Sequence, residues 1–144
     1  EPYRRQRQMC IRDRGNIMSY DINICYYSRA YKYLKKLNHN EQDQMMRLID
    51  QRVKRYIEDG DKRYIFQEKS FSKLGQFDST VYCLKVNTKI RAILSIDEDP
   101  IFEKIVVNVF TLCSLEKMNI EMQGIMESLY QKMINEESYD EEEE

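Results

Sequence analysis

Three short runs of apolar and β-branched residues stand in the second half of the chain: Val81–Val86, Ile90–Ile96 and Glu103–Val109. Asn87-Thr88-Lys89 separates the first two, and Asp97-Glu98-Asp99-Pro100 separates the last two. Runs of this length with turn residues between them predict a three-stranded antiparallel meander. Upstream, Tyr20, Ile22, Ile24 and Tyr26 alternate with Asp21, Asn23 and Cys25. A period of two is that of a half-buried strand.

Helical spacing follows. Ser28 is expected as an N-cap, with Ala30, Tyr31, Leu34 and Leu37 as the apolar stripe and Arg29, Lys32, Lys35 and Lys36 as the polar side. Asn38-His39-Asn40 interrupts this helix. Asn40 is expected to cap a second helix, with Asp43 reaching back in a capping box. Met45, Leu48, Ile49, Arg52, Val53, Tyr56 and Ile57 carry that helix to Asp59-Gly60, where Gly suits the position just past a helix end. The two segments predict a helical hairpin.

Asp61 to Phe77 reads equally as a packed loop or a helical turn, with Phe71, Leu74 and Phe77 as anchors. A last helix is expected from Ser114 to Ile134, with Leu115, Met118, Ile125, Met126, Leu129, Tyr130 and Met133 on its apolar face. The predicted fold is α+β. An N-terminal strand and helical hairpin pack on one face of a small antiparallel sheet, in the order β-α-α-β-β-β, and a C-terminal helix follows.

The two ends change the charge picture. Arg4 to Arg14 has no apolar period and reads as the translation of a sequencing-library adapter, so residues 1–17 are expected to lie outside the fold; the competing reading is a basic arm for nucleic acid. Met18 is the expected start of a single domain spanning 18–135. Residues 136–144 form an acidic run expected to stay solvated, or to shield a basic site as a nucleic-acid mimic. The chain carries 23 basic and 25 acidic residues. Five Arg and two acids precede Gly15, and seven acids follow Ile134-Asn135. The body keeps 18 basic against 16 acidic residues, a charge of +2. The sequence pI of 5.6 reflects the tail. A nearly neutral body neither demands nor excludes RNA, so local clustering decides.

No apolar run approaches the roughly 20 residues of a membrane span, and no basic region followed by an apolar one marks a signal peptide. Cys10, Cys25, Cys83 and Cys113 have no paired spacing, and His39 is the one histidine. This pattern points away from a zinc site and from any metal or cofactor. Cys25, Cys83 and Cys113 read as small buried thiols in a reduced cytoplasm.

Candidate chemistry gathers at the first turn of the meander, where Lys85, Lys89 and Arg91 cluster. Such an edge can hold a phosphate backbone or an acidic partner. It can equally be a strand edge kept soluble by charge.

The local text resembles the RelE/ParE superfamily of bacterial type II toxin–antitoxin toxins. The resemblance rests on Ser28-x-x-x-Tyr-Leu-Lys-Lys-Leu in the first helix and Lys73-Leu74-Gly75 before the meander. It continues in Tyr82-Cys83-Leu84-Lys85-Val86 and Ile90-Arg91-Ala92-Ile93-Leu94 across the turn. It covers roughly Tyr20 to Cys113. Lys85 stands where the family's first meander strand usually ends in Arg, and Arg91 matches the arginine of its second strand. After the last strand, ribonuclease members place an Arg or His and then a Tyr. Here Thr111-Leu112-Cys113-Ser114-Leu115-Glu116-Lys117 has neither Arg nor Tyr.

The resemblance implies metal-independent cleavage of ribosome-bound mRNA, in which a 2′-hydroxyl attacks the neighbouring phosphate. Arg91 is then the charge-stabilising catalytic residue, and Lys73, Lys85, Lys89 and Lys117 are the RNA-binding set. The alternatives it implies are a ParE-like inhibitor of DNA gyrase, or a divergent binding protein that has lost catalysis. In each toxin case the partner is a cognate antitoxin. A small adaptor using the Met-rich C-terminal helix also fits the sequence.

Overall fold

The computed structural model describes residues 9–13, 21–72, 78–99 and 101–143. Strands β1 (Met9–Asp13) and β2 (Asp21–Tyr26) come first, then helices α1 (Ser28–Lys35) and α2 (His39–Asp59). Strands β3 (Ile65–Ser72), β4 (Asp78–Lys85), β5 (Ile90–Asp99) and β6 (Lys104–Ser114) follow, and helix α3 (Met118–Glu143) ends the chain. One tight helical turn, Leu115–Lys117, joins β6 to α3.

The fold is α+β, and its sheet is mixed rather than antiparallel. Six strands lie in the order β1-β2-β6-β5-β4-β3. The meander β4-β5-β6 is antiparallel as predicted, but β2 runs parallel to β6, pairing Asp21 with Lys104 through Tyr26 with Val109. A parallel neighbour needs a long crossover, and the helical hairpin with β3 to β5 supplies it. Asp61 to Phe77, open at the sequence level, contains β3, which pairs antiparallel with β4 at the sheet edge. Its polar text, Gln67-Glu68-Lys69-Ser70, gives weak alternation, and a register shift between Gln67 and Lys69 breaks it further. At the other edge β1 pairs antiparallel with β2, in a stretch that the sequence reading set outside the fold. The last turns of α3 carry the acidic run.

Alternation explains the first core. Ile22, Ile24 and Tyr26 of β2 join Ile105, Val107, Val109 and Leu112 of β6, Ala92 and Leu94 of β5, and Tyr82, Leu84 and Val86 in and just after β4. Ala30 and Leu34 of α1, with Met45, Ile49 and Val53 of α2, close over them. Tyr82 faces this core, and the Tyr56 hydroxyl donates to its oxygen at 3.3 Å. Burial, with Tyr56 beside it, pushes the Tyr82 phenol well above its ordinary value.

All helices were expected on one face. Instead α3 covers the opposite face, with Met122 and Ile125 buried against Val81, Cys83, Ile93 and Cys113. The sheet is therefore sandwiched between two helical layers. The second core exists because strands buried on both faces show continuous apolar text rather than alternation, as Val81-Tyr82-Cys83-Leu84 does.

Helix caps correct two expectations. Tyr27, not Ser28, is the N-cap of α1, with no side-chain cap bond. Its N–H still donates to the Val109 carbonyl at 2.9 Å, so the strand ends on the residue that begins the helix. For α2 the cap is Asn38 rather than Asn40. Asn38 Oδ1 accepts from the Glu41 N–H at 2.8 Å, and Glu41 Oε1 accepts from the Asn38 N–H at 3.3 Å. A Glu three residues on reaches back as a capping box requires; Asp43 instead meets His39 Nε2 at 3.5 Å. Gly60 ends α2 at φ 72°, the left-handed position expected for it.

The thiols divide. Cys83 and Cys113 are free and buried. Cys25 is disulfide-bonded, which corrects its reading as a free buried thiol.

Candidate functional site

Asn87, Thr88 and Lys89 form the loop between β4 and β5. Asn87 Oδ1 accepts from the N–H groups of Lys89 (2.9 Å) and Ile90 (2.8 Å), and the Val86 N–H donates to the Ile90 carbonyl at 3.0 Å. An Asn side chain that mimics a backbone turn is the local reason the chain reverses here. Arg91 braces the same loop. Its Nη1 donates to the carbonyls of Asn87 (2.8 Å), Ile90 (3.2 Å) and Thr88 (3.4 Å).

Lys85 lies directly across from Arg91 in the ladder. The Lys85 N–H turns away from β5 and donates to the Tyr64 carbonyl at 2.7 Å. Lys85 and Arg91 are therefore a non-hydrogen-bonded pair, the kind whose Cα atoms approach to about 4.5 Å. Two cations stand side by side on the α3 face. Lys89 and Lys117 are exposed, and the Leu115 N–H donates to the Lys89 carbonyl at 2.9 Å, which fastens the start of the α3 connection to the loop. Lys85, Lys89, Arg91 and Lys117 thus come together at one corner of the sheet. Lys73 lies outside the described residues.

Beside Arg91 across the β5–β6 ladder is Cys113. The strand expected to end at Val109 continues to Ser114 through a bulge opposite Ile93 and Leu94. Val109 pairs with Leu94 and Thr111 with Ile93, so Phe110 is the extra residue. A bulge shifts the alternation by one. Val107 and Val109 face the first core, Leu112 does so after the shift, and Cys113 reaches the α3 face. Burial, then Glu121 and Cys83, push the Cys113 thiol up to about 11, while Arg91 pulls the other way. The Glu121 carboxylate accepts from Arg29 Nη1 at 3.2 Å, joining α3 to α1.

The side chain that sequence reading undervalued is Arg52. It stood among the inward positions of α2, and that was its signal: a cation in an apolar stripe needs acceptors. It is half-buried. Its Nη1 donates to the carbonyls of Lys85 (2.5 Å) and Val86 (2.6 Å). Its guanidinium lies over the Tyr64 ring, 3.8 Å from the centroid. The strand end that carries Lys85 is thus held from the helical-hairpin side by Arg52 and from the edge by Tyr64.

Among the described residues, no group of three or more His, Cys, Asp or Glu could hold a metal ion. No described helix is long and apolar enough to cross a membrane. No family model, curated protein or solved structure matches the chain.

Proposed function

We propose that this chain is a toxin of the RelE/ParE type, acting through the basic corner and restrained by a cognate antitoxin. The observation that carries the reading is the apposition of Lys85 and Arg91 across one ladder, with Lys89 and Lys117 exposed beside them. Like charges directly opposite each other destabilise a sheet. An anionic partner recovers that cost, and phosphate suits a corner offering one guanidinium and three ammonium groups. Ribosome-bound mRNA is the proposed target. In cleavage, Arg91 would neutralise charge on the phosphorane, with the lysines holding flanking phosphates.

A second reading, a gyrase-directed or non-catalytic binding protein, has its own support. Arg91 Nη1 is already bonded to three loop carbonyls, which makes Arg91 a brace of the corner as much as a free cation. Cys113, across the β5–β6 ladder from Arg91, is held neutral near pH 7 by its burial and supplies no base there. Binding needs only the corner's charge; cleavage also needs proton transfer.

Growth after induced expression, followed by RNA mapping and a gyrase supercoiling assay, tests both. Wild type should arrest growth, and Lys89→Glu, an exposed change, should relieve the arrest at equal soluble protein. mRNA cleavage lost in Arg91→Ala supports the nuclease; arrest with intact mRNA supports the second reading. Unimpeded growth with folded wild-type protein would reject a toxin altogether.

A further inference from the structure

We infer that the chain associates head to tail with further copies of itself, the turn between β5 and β6 of one copy docking on the basic corner of the next. This does not depend on the toxin reading.

The turn is built as a prong. Asp99 Oδ1 accepts from the N–H groups of Ile101 (3.1 Å) and Phe102 (3.4 Å). Glu103 takes a left-handed φ of 53°, uncommon for a residue with a Cβ. Its carbonyl accepts from the Asp21 N–H at 3.0 Å, which ties the turn to β2. This geometry pushes two large apolar side chains into water: Ile101 is 83% and Phe102 69% exposed. Glu98 and Glu103 are exposed beside them, Asp97 and Asp99 lie in the last residues of β5, and exposed Lys104 stands across from Asp99 as the one cation of this end. A constrained loop that displays an adjacent Ile and Phe within an acidic rim is a docking element by composition.

The complementary surface lies at the other end of β5. There Leu115, 50% exposed, is tied by its N–H to the Lys89 carbonyl beside Lys85 and Arg91, and Glu116, Lys117 and Ile120, the last 73% exposed, follow it in the chain. One end is apolar with an acidic rim, the other apolar with a basic rim. The ten residues of β5 separate them, about 30 Å at the rise of a strand. A molecule cannot bring its own two ends together, so the match is satisfied between copies. Two different patches meeting make a heterologous contact, which continues into short chains or closes as a ring instead of stopping at a two-fold dimer.

Sedimentation velocity of the full chain tests this. At low salt the average mass should climb with concentration through species larger than a dimer, and it should fall towards one chain as salt screens the rims. Phe102→Ser, Lys89→Glu and Glu98→Lys are surface changes, and circular dichroism checks that each remains folded. Each alone should sediment as a single chain. An equimolar mixture of Lys89→Glu with Glu98→Lys should associate again, since the intact corner of the Glu98→Lys chain meets the intact prong of the Lys89→Glu chain. A wild type that stays single at every concentration overturns the inference. So does a salt-insensitive dimer, association unchanged by Phe102→Ser, or a mixture that remains unassociated.

Discussion

Removing the donors of Arg52 while keeping its stem, as in Arg52→Met, isolates what holds the basic corner from behind. The guanidinium makes two charge-assisted bonds, at 2.5 Å to the Lys85 carbonyl and 2.6 Å to the Val86 carbonyl. Bonds to charged groups contribute about 1.5–3 kcal/mol each, but both come from one nitrogen, so the pair is nearer the worth of one good bond than of two. Stacking on Tyr64 at 3.8 Å adds roughly 0.5–2 kcal/mol at a half-buried site. Methionine keeps some packing on the ring, which offsets roughly 0.3–1.5 kcal/mol. The expected loss is about 2–4 kcal/mol, or roughly 5–15 °C in Tm for a chain of this size. Urea unfolding followed by circular dichroism measures it. Arg52→Lys should recover less than half, because an ammonium cannot reproduce the flat stack and the carbonyl bonds together. A loss below about 1 kcal/mol, or full recovery with lysine, would refute the clamp.

Asn38→Ala should cost about 1 kcal/mol through the lost cap, whereas Asn40→Ala should stay within about 0.5 kcal/mol; equal losses in urea unfolding would return the cap to Asn40. Cys113 gives a pH signature. Its folded value is raised to about 11 from the ordinary 9, so the neutral thiol is favoured by folding. That stability is complete below about pH 9 and is lost as pH rises towards 11. Subtracting the stability profile of Cys113→Ala from that of wild type should leave a difference that declines across this window, and a flat difference counts against the buried environment.

The legible parts of this fold are those in which one local rule acts alone. The alternation from Ile22 to Tyr26, the stripe of α2 and the left-handed end at Gly60 each follow from a single period or a single φ. The illegible parts are those in which two demands share the same residues. Tyr27 must finish a strand and start a helix, so the hydroxyl of Ser28 is not used as the cap. Val81 to Leu84 is buried on both faces, so its text carries no sign of which helices cover which side. Strand β3 has polar text because it lies at an edge, paired with β4 alone, and only its first residue, Ile65, belongs to the first core.

The corner was legible as charge and not as geometry. Lys85, Lys89 and Arg91 could be placed together because a three-residue loop joins their strands. What could not be read is that the bulge at Phe110 turns Cys113 to the side of Arg91, and that α2 sends Arg52 through the other face to the same strand end. Both follow from register, which depends on pairing partners distant in sequence. They also give the corner its character. The Lys85–Arg91 step is one of the non-hydrogen-bonded pairs that alternate along an antiparallel ladder, so the Lys85 N–H and carbonyl point away from β5, to Tyr64 and Arg52, at the point where two like charges face each other. A sheet end with this arrangement is held by its surroundings against its own repulsion. The bracing by Arg52, Tyr64 and the Arg91 bonds holds the two cations side by side at this strand end.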